Sequence, residues 1–340
     1  MPAIKGIPLA QYVQFLPQLK KNGIFVQIYN QMSEAFLSKR SLTEQIFILF
    51  AIVIISMIGV AMFIALIATR IYGSNFDDFD YLLQLKPKAL VPFKFLQMIY
   101  SICGFLLPAF IFSKMKSGNP VSYNIGEKKV NFMLLSLIPG ILISFIPFAY
   151  VTHEMNQQIY IPWPEIEMKL LDTTKNSEAL MLKFMEDSSP IGFAINFVML
   201  AIFPALCEEF LFRGALQKIL IERTRNFHIA IIISGVLFSV IHGDVYGFFP
   251  RAVLGILFGY LVYWGGSIWY SVAAHFLFNG MQAVGMYYLV IQDKPADLSS
   301  SGVSSDTILL STALFLFLTY TFFRVAHKED DIGSNEQLLE

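Results

Sequence analysis

Eight apolar runs govern what this chain can fold into. They fall at about 46–69, 93–113, 130–151, 190–207 with a polar continuation to about 222, 228–247, 251–264, 267–291 and 307–323. A helix of about 20 apolar residues crosses a hydrocarbon core ~30 Å thick and satisfies every backbone N–H and C=O within its own segment. The runs therefore predict an all-α polytopic membrane bundle with about eight transmembrane helices. The 251–264 run is short, which implies a steep tilt or incomplete insertion and makes seven the alternative count. Composition points the same way: 56% of residues are hydrophobic and 14% charged, with a mean hydropathy of +0.60, too apolar to cover a soluble domain. A net charge of −1 offers no basic field for phosphates and excludes a nucleic-acid partner. Cys103 and Cys207 both sit inside apolar runs and read as packed thiols rather than a disulfide framework.

Charge orients the bundle. With both termini cytoplasmic, the inward segments hold fifteen of the 24 Lys and Arg residues, as the positive-inside rule requires. The 152–189 connection then faces outward, carrying Glu154, Glu165, Glu167, Asp172, Glu178, Glu186 and Asp187 against three lysines. Residues 1–44 lack the apolar core of a signal peptide, being interrupted by Lys20, Lys21, Gln27, Gln31 and Glu34, and read as an amphipathic or interfacial segment. Residues 45–189 hold the first three transmembrane helices and the outward loop, and 190–291 form a helical core that gathers the polar groups considered next. The last transmembrane helix falls in 292–326, and 327–340 form a loose, polar cytoplasmic tail. Gly255 and Gly259 form a GxxxG that allows close helix approach.

Polar groups inside spans are costly and usually face a cavity, so each is a functional hypothesis. Glu208, Glu209, Arg213, His242, His275 and Asn279 are such groups, and all fall in 190–291. Glu209 and Arg213 are i, i+4 neighbours on one helix and form an ion pair. Glu208 points about 100° away from Glu209 and lacks a local counter-charge, which leaves it for proton transfer. If the 190–222 and 228–247 runs form a hairpin turning near Arg225, Glu208 lies 17 residues before the turn and His242 17 after it. The two reach the same depth, where carboxylate and imidazole can hold and deprotonate a water. His275 and Asn279, again i, i+4, put two hydrogen-bond donors on one face, as an oxyanion hole needs. His275 lies only about ten residues past the Gly265–Gly266 turn, so its naive depth differs from that of His242 by roughly 10 Å.

These residues spell three motifs: EExxxR at Glu208, Glu209 and Arg213, FxxxH at Phe238 and His242, and HxxxN at His275 and Asn279. Together and in this order they resemble the CAAX protease and bacteriocin-processing family, also called Abi, whose eukaryotic members are the type II CAAX prenyl endopeptidases. The resemblance implies an intramembrane endopeptidase in which Glu208 and His242 activate water and His275 and Asn279 stabilise the oxyanion. Glu209 and Arg213 support them, and Phe238 lines the site or packs beside it. It further implies an integral protein of a bacterial-type cytoplasmic membrane that cuts a membrane-associated protein or peptide.

Competing readings exist for each residue. Glu208 and His242 could be satisfied core groups, His275 and Asn279 interhelical glue, and the Glu209–Arg213 pair simple packing, which is the preferred reading of that pair. A metal-free site is expected, the alternative being Zn2+ on Glu208, His242 and His275. Asp244 and Tyr246 read as a solvated loop near the outer mouth. A non-catalytic membrane protein serving bacteriocin immunity or protein maturation is the main functional alternative. A proton-coupled transporter is a more distant one, since no pair of broken helices falls in matching halves.

Overall fold

The computed structural model describes residues 37, 40–75, 79–126, 128–292 and 303–337, so most of the interfacial segment expected over 1–44 lies outside the described residues. All regular elements among them are helical, the longer ones being α1 (Leu42–Tyr72), α2 (Pro87–Ser117), α3 (Phe132–Gln157), α4 (Pro164–Met185), α5 (Pro190–Thr224), α6 (Phe227–Val240), α7 (Phe248–Gly265), α8 (Trp269–Ile291) and α9 (Ser305–Gln337), with short helices at Phe79–Gln84 and Pro120–Ile125. The protein is an all-α polytopic membrane bundle. Each of the eight apolar runs forms a helix, but by length and apolarity six qualify as spans: α1, α2, α3, α5, α7 and α9. The short element expected at 251–264 is a full 18-residue helix, α7. The shortfall lies instead in α6, whose 14 residues reach only about 21 Å. α8 is long enough but is diluted by His275, Asn279 and Gln282. The loose tail expected from His327 is also corrected, because α9 continues to Gln337.

Local chemistry sets the ends. Ser41 and Glu44 close a capping box on α1, each side chain taking the other's backbone N–H. Ser189 caps α5 with Pro190 at its first turn, where a missing N–H costs nothing. α5 ends at Arg225 in the left-handed region, φ 53°, and Asn226 caps α6 at once, so the hairpin turns where the spacing predicts. α6 stops at Val240 because the chain turns through Gly243, φ 66°.

Two apolar cores flank the segment that carries the intramembrane polar groups. Leu49, Phe105, Phe112, Phe210, Ile219 and Phe238 join α1, α2, α5 and α6. Ile138, Phe145, Phe258, Tyr270 and Phe322 join α3, α7, α8 and α9. The most apolar windows of α1 and α9 are only 17% and 6% buried, against 44% for α7. Their exposed Phe47, Ile55, Met62, Leu309, Leu310 and Phe317 therefore face hydrocarbon, and α7 is interior. Glycines permit that interior packing. A Cβ on Gly255 would stand 3.1 Å from Gly235 Cα, and one on Gly259 would stand 2.7 Å from Gln217 Oε1. The polar α4 is tied down at its end, where Phe184 O accepts from the buried Lys94 Nζ at 3.0 Å and Asn196 Nδ2 at 2.7 Å.

Candidate active site

The site begins on α5, which carries Glu208, Glu209 and Arg213 through a widened π-helical stretch, Phe210–Leu216. Glu209 and Arg213 are fully buried and paired, Nη1 to Oε1, at 2.8 Å. Arg213 Nη2 donates to Gly255 O at 2.8 Å, and its guanidinium lies 4.7 Å from the Phe238 ring centre and 5.6 Å from that of Phe258. A buried charge pair needs further partners for its hydrogens and lone pairs, and here Gly255 O and the two rings supply part of them, while Arg213 Nε and Glu209 Oε2 are buried without a hydrogen-bond partner.

Glu209 does more than local spacing predicts. Its Oε1 also accepts from His275 Nδ1 at 2.8 Å, making the carboxylate a joint between α5 and α8. The depth gap foreseen for His275 disappears because the turn before α8 is recessed: Ile268 N donates to Ile125 O at 3.0 Å, and Gly126 makes room for Gly266 O, where a Cβ would stand 2.4 Å away.

Glu208 turns to the other side of α5. Its Oε2 lies 3.8 Å from His242 Nε2 and is buried without a hydrogen-bond partner. His242 Nδ1 donates to Phe238 O at 2.7 Å. A carbonyl can only accept, so Nδ1 holds the hydrogen and a neutral ring presents the Nε2 lone pair to Glu208. Two acceptor atoms thus face each other across 3.8 Å. Phe238, only 2% exposed, packs its ring against His242, His275 and Arg213 and holds the three in register.

Asn279 is engaged differently from the expectation. Its Nδ2 donates to Leu200 O at 3.1 Å. In an α-helix that carbonyl would take the N–H of residue 204, but Pro204 has none, and the helix loosens into a π turn at Val198–Ile202. Asn279 fills the gap across the interface. With His275 Nδ1 given to Glu209, the donors expected to form an oxyanion hole spend these hydrogens on holding α8 to α5. Beside them an apolar groove of about 560 Å³ is lined by Phe197, Phe276, Gly280, Met281, Val284 and Tyr288.

The loop after His242, expected to be solvated, is built into the site. Asn156 on α3 pins it at both ends, donating to Val245 O at 2.6 Å and accepting from Phe249 N at 2.7 Å. Asp244 Oδ1 accepts from Thr174 Oγ1 on α4 at 3.2 Å and from Tyr246 N at 3.1 Å, and its Oδ2 pairs with Arg251 Nη2 at 3.0 Å. Arg251 and Asp244 were not legible as a pair, although Arg251, Gly255 and Gly259 repeat every four residues along α7. Among the described residues no three His, Cys, Asp or Glu side chains converge with metal-ligand spacing. The alternative zinc ligands divide instead into a Glu208–His242 pair and a His275–Glu209 pair.

No curated protein and no solved structure matches this chain. Residues 190–281, which contain all three motifs, match the family described as type II CAAX prenyl endopeptidase Rce1-like.

Proposed function

We propose that the protein is an intramembrane endopeptidase in which Glu208 and His242 activate a water to hydrolyse a peptide bond of a membrane-associated protein or peptide. The observation that carries this reading is the pair of facing acceptors 3.8 Å apart, one of them buried and unpartnered. A water about 2.8 Å from each would see them about 85° apart, so its two O–H groups can donate one to each. In the reaction one water proton passes to Glu208, and the oxygen forms a bond to the scissile carbonyl carbon. The C–N bond then breaks as Glu208 returns that proton to the departing nitrogen, leaving a carboxyl and an amine as products. His242 keeps the water oriented through its fixed tautomer. Its side chain is 31% exposed against 12% for Glu208, so substrate reaches the pair from the His242 side. On the charge asymmetry this side faces out of a bacterial-type cytoplasmic membrane, with both chain termini inside.

The test compares membrane proteomes of cells carrying the wild-type protein, Glu208→Ala or His242→Ala. An uncut precursor should accumulate in both variants, and purified variants should cut it about 10²–10⁴-fold more slowly than wild type. Wild-type cutting rates in both variants would overturn the assignment. A maturation or immunity phenotype that survives Glu208→Gln would favour a contact-only role.

A further inference from the structure

The site described so far has a water-activating pair but few uncommitted donors for the negative charge that develops on the carbonyl oxygen. His275 Nδ1 is committed to Glu209, and Asn279 Nδ2 donates to Leu200 O. A neutral His275 with its hydrogen on Nδ1 has only a lone pair at Nε2. The structure holds a cation close by that has donors to spare. Arg251 Nη1 is buried and has no hydrogen-bond partner.

Helix register sets Arg251 at the right depth. α5 and α7 run side by side in parallel, since Arg213 Nη2 reaches Gly255 O at 2.8 Å and Gln217 Nε2 reaches Gly259 O at 3.1 Å. Four residues on α5 thus match four on α7. One turn back, about 5.4 Å along the axes, Arg251 comes level with Glu208 and Glu209. Its charge acts on both Glu208 and His242. The guanidinium is also held in place from the other side: Asp244, two residues after His242, grips Nη2 and is itself held by Thr174 and the Tyr246 N–H. Gly247 leaves space for this pair, because a Cβ there would stand 2.3 Å from Asp244 Oδ2 and 2.8 Å from Arg251 Nη2. A glycine, an aspartate and a threonine from another helix therefore orient one guanidinium edge and leave the other edge unused beside the reacting pair. The first turn of an 18-residue helix adds its own positive field at this point.

We propose that Arg251 is a catalytic residue whose Nη1–H donates to the oxyanion of the tetrahedral intermediate formed at the Glu208–His242 pair, with Asp244 as its positioning residue. This rests on the hydrolytic reading above. A preoriented cation of this kind strengthens its bond as charge develops, so it acts on kcat rather than on ground-state binding.

The experiment uses the full-length protein in liposomes and a quenched peptide spanning the cut found in the accumulated precursor, together with the matching peptide aldehyde, whose hydrate imitates the intermediate. Arg251→Gln should lower kcat about 10²–10³-fold, leave KM within about two-fold, and weaken aldehyde binding in parallel with kcat. Arg251→Lys, which keeps the charge but loses the fork, should recover part of the rate, and it carries the test if Arg251→Gln does not fold. Asp244→Asn should move kcat the same way by a smaller factor. An unchanged kcat in Arg251→Gln, with Glu208→Ala inactive, overturns the oxyanion role and leaves the hydrolytic reading standing. So does a loss confined to KM that vanishes when the C terminus of the peptide is amidated, which would make Arg251 a carboxylate anchor. If Glu208→Ala cuts at the wild-type rate, or no precursor accumulates, both readings fall.

Discussion

Arg213 is the side chain whose removal should be felt most. Arg213→Met leaves the Glu209 carboxylate buried with only His275 beside it, at a cost of about 3–5 kcal/mol. Thermal unfolding in detergent should show a much lower midpoint for this variant than for the double variant Glu209→Gln with Arg213→Met, which removes both charges. Equal losses would mean that packing, not charge, is what Arg213 supplies. Helical spacing was enough to foresee that pair and to separate Glu208 from it, because i, i+4 geometry is a property of one helix alone. It was silent on the His275–Glu209 bond and on the Asn279–Leu200 bond, since each depends on how far one helix slides past another. Arg251 was missed for a related reason: at the edge of an apolar run a single arginine looks like an interfacial anchor, and only its partners in the fold distinguish it.

At the scale of helices, the α6–α7 contact should be the least tolerant. A Cβ on Gly235 would meet Ile256 N at 2.8 Å, so Gly235→Val must push the two helices apart and shift the end of α6 where His242 lies. We expect a loss of about 1–3 kcal/mol of stability together with a fall in activity, read by thermal unfolding and turnover of the same samples. Gly59→Ala on α1, with nothing within 4 Å of the new methyl, serves as the matched control and should be neutral or stabilising. The order of elements and the hairpin at Arg225 were readable from apolar runs and capping residues. The early end of α6 was not, because Ile241 and Val245 extend the apolar pattern through residues that are in fact a turn.

For the whole molecule, the same degree of exposure means different things at different heights. Ile55 on α1 and Ile166 on α4 are 71% and 51% exposed, but the first lies on an apolar span and the second on a polar helix. Ile55→Arg should cost roughly 2.5–3.5 kcal/mol of insertion free energy and deplete the protein from membranes, whereas Ile166→Arg should leave its level unchanged. Quantifying both variants in washed membranes decides it, and equal depletion would mean that α4 also contacts lipid. α4 is fastened at two points, Thr174 to Asp244 and Phe184 O to Lys94 and Asn196, so it covers the His242 end of the site as part of the bundle. The bond from Asn279 to Leu200 O carries a further consequence, one of heredity. Pro204 creates the vacancy that Asn279 fills, so the two positions form a debt and its creditor on separate helices: exchanging Pro204 for alanine lets α5 close its own ladder and relieves position 279 of its structural duty, while the reverse order of changes leaves an orphaned carbonyl in the middle of the bundle.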